Sequence, residues 1–491
     1  MPAINVMGSF QDPLNLDQGA GKLVNVRVVP REMKEGRVAK VRFLGSPGLT
    51  TVCQPTAQPC IALCHALDTI WSGHGDGSIY YGIETGVPVL AGFVAVQAGQ
   101  PVIRFAEDRT ALAIASNKNI LNPLLFGTGY VGVKTPTAGI TNAGFDTSID
   151  FDPSTVAELD NMTIWSGASN VYANQDSKMY NSNPLAPGTV QPNSFATKEA
   201  RADRVVDLAI SGRVMWPLGS RSLEQWYDSG NGADFPYQAF PNSLNSVGIA
   251  SRLTLAVLRD LIMFVGTNRR VWLCSGQSGA PVSPTWVDSL LQELTLTQLG
   301  QLTAYAYAHA ESDFYVLTLP GSWTIELSGA TGSWSYRQSP GRLDHASRCA
   351  TEHDGGSTYV GLDTGHICTA DMNNQTEPAG TISRMIVTPW VGDEEYRSTY
   401  ATVDATSSMG PQAGTFQLDW SETADVTEGG VVVSNRTWRG VRQIQMPTPG
   451  AQRAIGRDFG TGRRRQFRLQ YSGTQAPFTI DEMFINTIKG T

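Results

Sequence analysis

The sequence has no apolar run long enough to cross a bilayer. The longest, Val87–Val96, is about ten residues and contains Pro88 and Gly92, against the roughly 20 that a spanning helix needs. No transmembrane helix is expected. Cysteine is also scarce: Cys53, Cys60, Cys64, Cys274, Cys349 and Cys368 are 6 in 491 residues, too dilute for a disulfide scaffold, so free thiols in a reducing cytosol are expected. Asp12, Asp17 and Lys22 interrupt the place where a signal peptide needs an unbroken apolar stretch, and export by the secretory route is not expected. Charge is low at 16%, below the ~25% of an average soluble protein. Lys+Arg 36 against Asp+Glu 44 leaves −8, which excludes the whole molecule acting as a basic nucleic-acid binder. The sequence lacks G-x-S-x-G, H-E-x-x-H and a phosphate loop ending in Gly-Lys-Ser/Thr. Gly73–Gly75–Gly77 and Gly127–Gly129 sit in strand-turn contexts without the following helix of a dinucleotide site, and read as hairpin turns.

What is present is turn and strand. Gly 50 and Pro 27 mark a turn-rich globular chain, long enough for about two to four domains. A loose repeat of apolar strand, polar turn and second strand recurs at Asp68–Ile83, Ala111–Leu121, Thr163–Asn181, Val214–Tyr227, Ile262–Cys274, Phe314–Leu327 and Ser357–Ile367. Its turns fall near residues 74, 116, 174, 220, 267, 321 and 364, steps of roughly 40 to 60 residues that bracket known propeller repeats. Two strands cannot bury their apolar face alone, whereas four-stranded blades packed radially bury both faces and leave short edges. The chain is therefore expected to be all-β, a β-propeller of about seven blades, six if Ala111–Leu121 is only an insertion. Trp323, Ile325 and Leu327 alternate with Thr324 and Glu326, the pattern of a half-buried strand. One helix is predicted from Val287, Leu290, Leu291 and Leu294, with Ser283 as N-cap and Pro284 at the first helical position. Thr295 and Gln298 then form a capping box for another helical turn.

After about residue 380 the repeat stops. Strands read at Thr399–Asp404, Thr415–Trp420, Val431–Ser434, Val441–Met446, Gln466–Tyr471 and Phe478–Ile485, which predicts a C-terminal β-sandwich. The expected domains are an N-terminal arm over 1–39, the propeller over 40–375 and the sandwich over 376–491. Arg436, Arg439, Arg442, Arg453, Arg457, Arg463, Arg464, Arg465 and Arg468 meet only Asp458 among carboxylates between Val431 and Gln470, the clearest charge asymmetry in the chain. Guanidinium groups pair with carboxylates in two-pronged geometry. Arg439, Arg442, Arg453, Arg457, Arg463, Arg464 and Arg465 are accordingly the candidate protein-interface residues. DNA contact and solvated hairpins are the competing uses.

Candidate chemistry is thin. Cys53, Cys60, Cys64, His65 and His74 offer zinc-type ligands, but C-x6-C-x3-C-H lacks the usual short chelate, and the adjacent Cys64 and His65 point to opposite faces of a strand. Buried thiols are expected, with no metal site and no cofactor. Asp146, Asp150, Asp152, Glu158 and Asp160 could supply a glycosidase pair, yet Asn142, Gly144 and Pro153 among them favour a solvated acidic loop. No catalytic residue is assigned. Trp71, Trp165, Trp216, Trp226 and Trp272 fall at the strand ends of the repeat and read as blade core ahead of a sugar-stacking surface.

The order of these pieces resembles the packaged-DNA stabilisation or tail-hub proteins of short-tailed bacteriophages. Leu23-Val24-Asn25-Val26 followed by Arg42-Phe43-Leu44-Gly45-Ser46-Pro47-Gly48-Leu49 is similar to that family's "x-V-N-M … R-x-F-P-G-I" opening. Ser222-Leu223-Glu224-Gln225-Trp226-Tyr227 is similar to its "S-x-I-E-x-F/W" strand. Val271–Leu294, and Ile455-Gly456-Arg457 with Gln466-Phe467-Arg468-Leu469, are also similar. The likeness runs close to full length through short motifs. It implies a structural virion protein of the tail, assembled in the host bacterial cytoplasm. Such a protein forms a homohexameric ring below the portal-adaptor complex, closes the DNA exit channel, and anchors a tail needle, tailspikes or fibres. DNA would pass without sequence-specific binding. The family offers no catalytic residues to transfer, and Arg463–Arg465 and Cys53–Cys64 match none of its motifs. Two other readings stand beside this one: a propeller-type receptor-binding or polysaccharide-degrading tail protein, and a cellular propeller scaffold.

Overall fold

Strand propensity and turn spacing are realised as seven four-stranded antiparallel blades between residues 48 and 371 of the computed structural model, six of them separate sheets and one the first four strands of a ten-stranded sheet. The structure describes residues 3–5, 21–30, 41–116, 132–134, 141–142 and 152–489, with short interruptions. The first strands of the blades are Cys60–Ala66, Ile103–Glu107, Asp152–Leu159, Val205–Ser211, Ala256–Leu258, Thr303–His309 and Ser347–His353. They neighbour one another in that order, and the last packs against the first. This is a closed propeller of seven blades, numbered here in chain order. The sequence repeat marks the second and third strands of the blades, as in Thr69–His74 with Ser78–Tyr81 and Ser312–Leu319 with Trp323–Ser328. Even the irregular unit supplies Leu112–Ser116, the second strand of blade 2.

Tight turns set the blade registers. Leu67-Asp68 and Asp160-Asn161 join first and second strands with both residues at positive φ, 52° and 59° in one, 53° and 64° in the other. That is the primed hairpin turn whose twist matches the strands it joins. The core lies in wedges between blades. Trp71, Ile79, Ile103, Leu112 and Ile114 pack together at the seam of blades 1 and 2, and Ile262, Phe264, Trp216 and Leu218 at the seam of blades 4 and 5.

Between blades 5 and 6 the chain forms helices α1, Thr285–Gln292, and α2, Leu296–Gln301. Val287, Leu291, Leu294 and Leu299 are buried in the wedge there. The capping box at Thr295 and Gln298 is present. The start of α1 differs by one residue: Pro284 is the N-cap, and Ser283 instead accepts the Val271 N–H and donates to Asp288. Arg269, on the blade 5 loop, donates to the carbonyls of Leu291, Gln292 and Leu294 and so closes the C-terminus of α1.

Blade 7 is completed by a strand from far upstream. Gly48–Cys53 pairs antiparallel with Ile367–Asp371, so both ends of the propeller segment share one sheet and neither edge of the seam is left open. The segment before it is no free arm. Lys22–Val24 lies between Trp334–Arg337 of blade 6 and Ser383–Val387, while Val26–Pro30 pairs with Val41–Gly45. A lone strand gains its hydrogen bonds only by joining existing edges, and this one joins two.

Two larger sheets carry most of the described strands of the C-terminal part. One runs through Ser383–Val387, Arg464–Ser472, Thr415–Ser421 and Arg439–Gln445 and continues through Lys22–Val24 into blade 6. The other contains Glu482–Lys489, Ser398–Ser407 and Gln452–Arg457. Phe416, Leu418, Phe467 and Leu469 from the first, Val403, Met483 and Ile485 from the second, and Val26, Val28 and Phe43 from the N-terminal strands form one buried cluster.

Polar groups weld the parts. Asn25, at φ 54° and 3% exposed, donates to the Gln338 and Ser383 carbonyls and accepts the Gln338 N–H. Strand Trp323–Ser328 is buried on both faces, not one, because Arg27 covers its polar side. Arg27 Nε lies 2.6 Å from Glu326 Oε1, its guanidinium sits 4.0 Å above the Phe314 ring, and Arg337 pairs with the other Glu326 oxygen at 3.1 Å. Burial raises the Glu326 carboxyl, but the two arginines outweigh it and hold it below its ordinary range. Arg337 still faces Glu326 without Arg27, but Glu326 Oε1 and the Tyr307 hydroxyl then lose a buried charged donor, at a cost of about 1–3 kcal/mol. Arg27→Met is therefore expected to lower the unfolding free energy by about 1–3 kcal/mol, read from urea denaturation. A change under about 0.5 kcal/mol, the range of ordinary surface substitutions, would remove Arg27 from this role.

Candidate functional site

Three places carry the residues singled out above: the arginine-rich C-terminal strands, the blade 3 and 4 rim, and the propeller axis. In the first, long-range partners change the picture drawn from local charge. Arg468 pairs with Asp419 at 2.9 and 2.5 Å and lies 4.2 Å from the Trp438 ring. Arg465 is 3% exposed and donates to Glu422, Thr461 O and Phe459 O, with its guanidinium 3.8 Å over Trp420. With its donors spent inside the fold, Arg465 is a structural residue and is withdrawn from the interface set. Arg464 is half-buried, 5.4 Å from the Trp390 ring. Arg439 and Arg457 are exposed on strands of the two different sheets. Arg442 and Arg453 lie on those same strands, but their side chains, and the whole of Arg463, fall outside the described residues.

On the rim, Asp146 and Asp150 also fall outside the described residues, as does the side chain of Asp152. The remaining two carboxylates are occupied. Glu158 accepts the Asn161 N–H of its own hairpin turn at 2.6 Å, and Asp160 pairs with Arg213 at 2.8 Å. Burial raises the Glu158 carboxyl. Nearby, the Ser222–Tyr227 segment that carries the family resemblance proves to be a structural device. Asp203 accepts the N–H groups of Ser220, Arg221 and Ser222, while the Lys198 ammonium, 1% exposed, donates to Ser222 Oγ at 2.6 Å. Gly219 is required there, since a Cβ would overlap the Asp203 carboxylate. Glu224 accepts the Trp226 indole N–H at 3.1 Å.

The thiols and imidazoles do not converge on a metal. Cys60 and Cys349 sulfurs lie 3.7 Å apart with Cys53 in the same buried cluster, whereas His65 packs on His353 and His74 is hydrogen-bonded to Ser72. Among the described residues no three His, Cys, Asp or Glu are grouped to hold an ion. Trp71, Trp165, Trp216, Trp226 and Trp272 are all buried, as blade core.

On the axis, the inner strands of blades 1, 2, 5, 6 and 7 enclose a cavity of about 750 Å³ with Ile61, Leu63, Ile103, Phe105, Val257 and Ala306 on its wall. Arg104, on its wall, also belongs to a polar bar that sequence reasoning missed. Arg104 of blade 2 reaches Asp207 of blade 4 at 2.7 Å and the Arg252 carbonyl at 2.8 Å, and Arg252 reaches the Ser154 carbonyl of blade 3 at 2.7 Å. Burial raises the Asp207 carboxyl, but Arg104 and Arg252 hold it below its ordinary range. No sequence signal points to this trio, whose members are 45 to 148 residues apart.

A closed seven-bladed propeller joined through shared strands to a C-terminal unit defines a β-propeller protein. The profile of the phage-stabilisation family, described as bacteriophage P22 Gp10, beta-propeller, matches residues 77–339. The chain belongs to that family of phage structural proteins. No curated protein matches it. Among solved structures it is similar to BamB from Moraxella catarrhalis at 12% identity, with TM-score 0.38 over 72% of this chain and 98% of that one. It is likewise similar to YCF48 from Cyanidioschyzon merolae at 11% identity, with TM-score 0.40 over 66% and 99%.

Two predictions follow from the geometry. Arg465→Ala removes a buried guanidinium and leaves the Phe459 and Thr461 carbonyls without its donors, and is expected to destabilise by about 2–4 kcal/mol. Arg439→Ser and Arg457→Ser should stay within about 0.5 kcal/mol. Urea unfolding separates the two classes, and equal effects would void the distinction. The Asp203 carboxyl would be raised by burial, but the Ser220 hydroxyl, the Arg221 N–H and the Lys198 ammonium pull it to about 2, against an ordinary 3.8. A depressed carboxyl contributes stability above its unfolded pKa and loses it as pH falls toward the folded one. Asp203→Asn should therefore narrow its stability deficit from wild type between pH 4 and pH 2; a constant deficit over that window contradicts the assignment.

Proposed function

We propose that this chain is the tail hub or nozzle of a short-tailed phage: several copies form a ring, most simply a homohexamer, below the portal-adaptor ring. The ring closes the DNA exit path to retain the packaged genome and anchors distal needle, tailspike or fibre proteins. The observation that carries this reading is family membership over residues 77–339. In this reading the chain is a structural component and not an enzyme, DNA passes without sequence-specific contacts, and the particle is assembled in the host cytoplasm. The unit over 376–491 supplies the contact surface. Arg439 and Arg457, with Arg442, Arg453, Arg463 and Arg464 beside them in sequence, meet an acidic protein face in a neighbouring copy or the adaptor ring.

Electron microscopy of virions places the chain directly. Density on the tail axis below the adaptor is expected, and a peripheral, spike-like position would favour the receptor-binding or polysaccharide-degrading alternative. Glu158→Gln and Asp160→Asn phages are expected to keep infectivity within a few-fold of wild type, whereas a loss with an intact tail would argue for catalysis on the rim. The double variant Arg439→Ser/Arg457→Ser should fold normally yet incorporate poorly into tails, with the defect growing as salt screens the remaining pairs. Wild-type incorporation at low and high salt would take both residues out of the interface.

A further inference from the structure

The seam between blade 1 and blade 7 holds two thiols that no structural need accounts for. Cys60 opens the inner strand of blade 1 and Cys349 lies on the inner strand of blade 7, 289 positions apart in sequence. Their sulfurs approach to 3.7 Å. Each sits beside a register shift, between Cys60 and Ala62 in one strand and between Ser347 and Cys349 in the other. Such bulges re-aim a side chain, and here both sulfurs are aimed across the seam. Gly361, on the second strand of blade 7, keeps the space under them open: a Cβ there would lie 2.5 Å from the Cys60 sulfur and 2.7 Å from that of Cys349. Cys349 also lines the central cavity of about 750 Å³ and is 7% exposed, while Cys60 is fully buried.

We propose that Cys349 and Cys60 are a modification site for small disulfides of the glutathione class, which enter the central cavity and convert the pair into a disulfide that staples blade 1 to blade 7. The Cys349 thiolate attacks one sulfur of the incoming disulfide. Its S–S bond breaks, one small thiolate departs, and Cys349 carries the other half as a mixed disulfide. The Cys60 sulfur then attacks the Cys349 sulfur and passes its proton to the departing second thiolate. Two protein thiols are oxidised by two electrons and the small disulfide is reduced to two thiols. Burial pushes the Cys60 thiol up, which suits it to the resolving step and leaves the first attack to the sulfur on the cavity wall. The sulfurs must close from 3.7 Å to the bonded distance of about 2.05 Å. The bond would span the seam that closes the ring, so it restrains the opening of the propeller over almost its whole circumference.

The test uses the full-length protein incubated with oxidised glutathione and digested without reduction. A linked Cys60–Cys349 peptide is expected, with two thiols lost per chain, in wild type and equally in Cys53→Ser and Cys64→Ser. Cys60→Ser should stop with one glutathionyl group on Cys349. Tm should rise by roughly 5 °C on oxidation and return on addition of dithiothreitol. The proposal is overturned if Cys64 or Cys53 is modified while the Cys60–Cys349 link does not form, or if the link forms and Tm is unchanged. Should Cys60→Ser fail to fold, the wild-type peptide map and its Tm decide alone.

Discussion

The fold depends on how a ring of blades is closed. Seven blades packed about an axis leave one seam where the first and last must meet, and an unclosed seam exposes a strand edge and an apolar wedge. Residues 22–53 close it. They give blade 7 its outer strand at Gly48–Cys53, put Val26, Val28 and Phe43 into the C-terminal core, and set Lys22–Val24 between blade 6 and Ser383–Val387. The fastening is electrostatic as well as apolar. Arg27 meets Glu326 and Tyr307 where both faces of the strand are buried, an arrangement that is costly to desolvate and costlier to leave half made. The propeller and the C-terminal unit therefore share strands and a core, and neither can be lifted from the other without breaking both.

That union bears on function. A phage structural protein that stabilises packaged DNA is served by a rigid body, and rigidity is made by spending polar groups internally. The Lys198–Asp203–Ser222 cluster and the Arg104–Asp207–Arg252 bar do so, as does Arg465 in its aromatic cage. What remains exposed and charged, such as Arg439 and Arg457, is available to other chains.

Much of this was legible in the sequence, and the misses share a cause. The seven turns stand out because the second and third strands of a blade are buried on both faces and read as apolar runs, as in Phe314–Leu319. The capping box at Thr295 and Gln298 is equally local and equally visible. Non-local pairings are not. Residues 22–30 read as an arm because Arg27 finds Glu326 299 positions later. Arg465 read as surface because Glu422 lies 43 positions upstream, outside the stretch whose charges were compared. Thr324 and Glu326 read as the wet side of a strand because nothing local announces the cover supplied by Arg27. The Arg104–Asp207–Arg252 bar joins residues of separate blades and leaves no periodic trace.

Native-state hydrogen exchange followed by mass spectrometry tests ring closure most directly. Leu23–Val29 and Leu49–Cys53 lie on strands paired with blades 6 and 7, with Ser383–Val387 and with Val41–Gly45, and their bonded amides should exchange as slowly as those of Thr358–Leu362 in the middle of blade 7, opening only with the whole fold. Rapid exchange of residues 23–53 while the blades stay protected would contradict the account, because it would show a propeller that holds its ring shut without them.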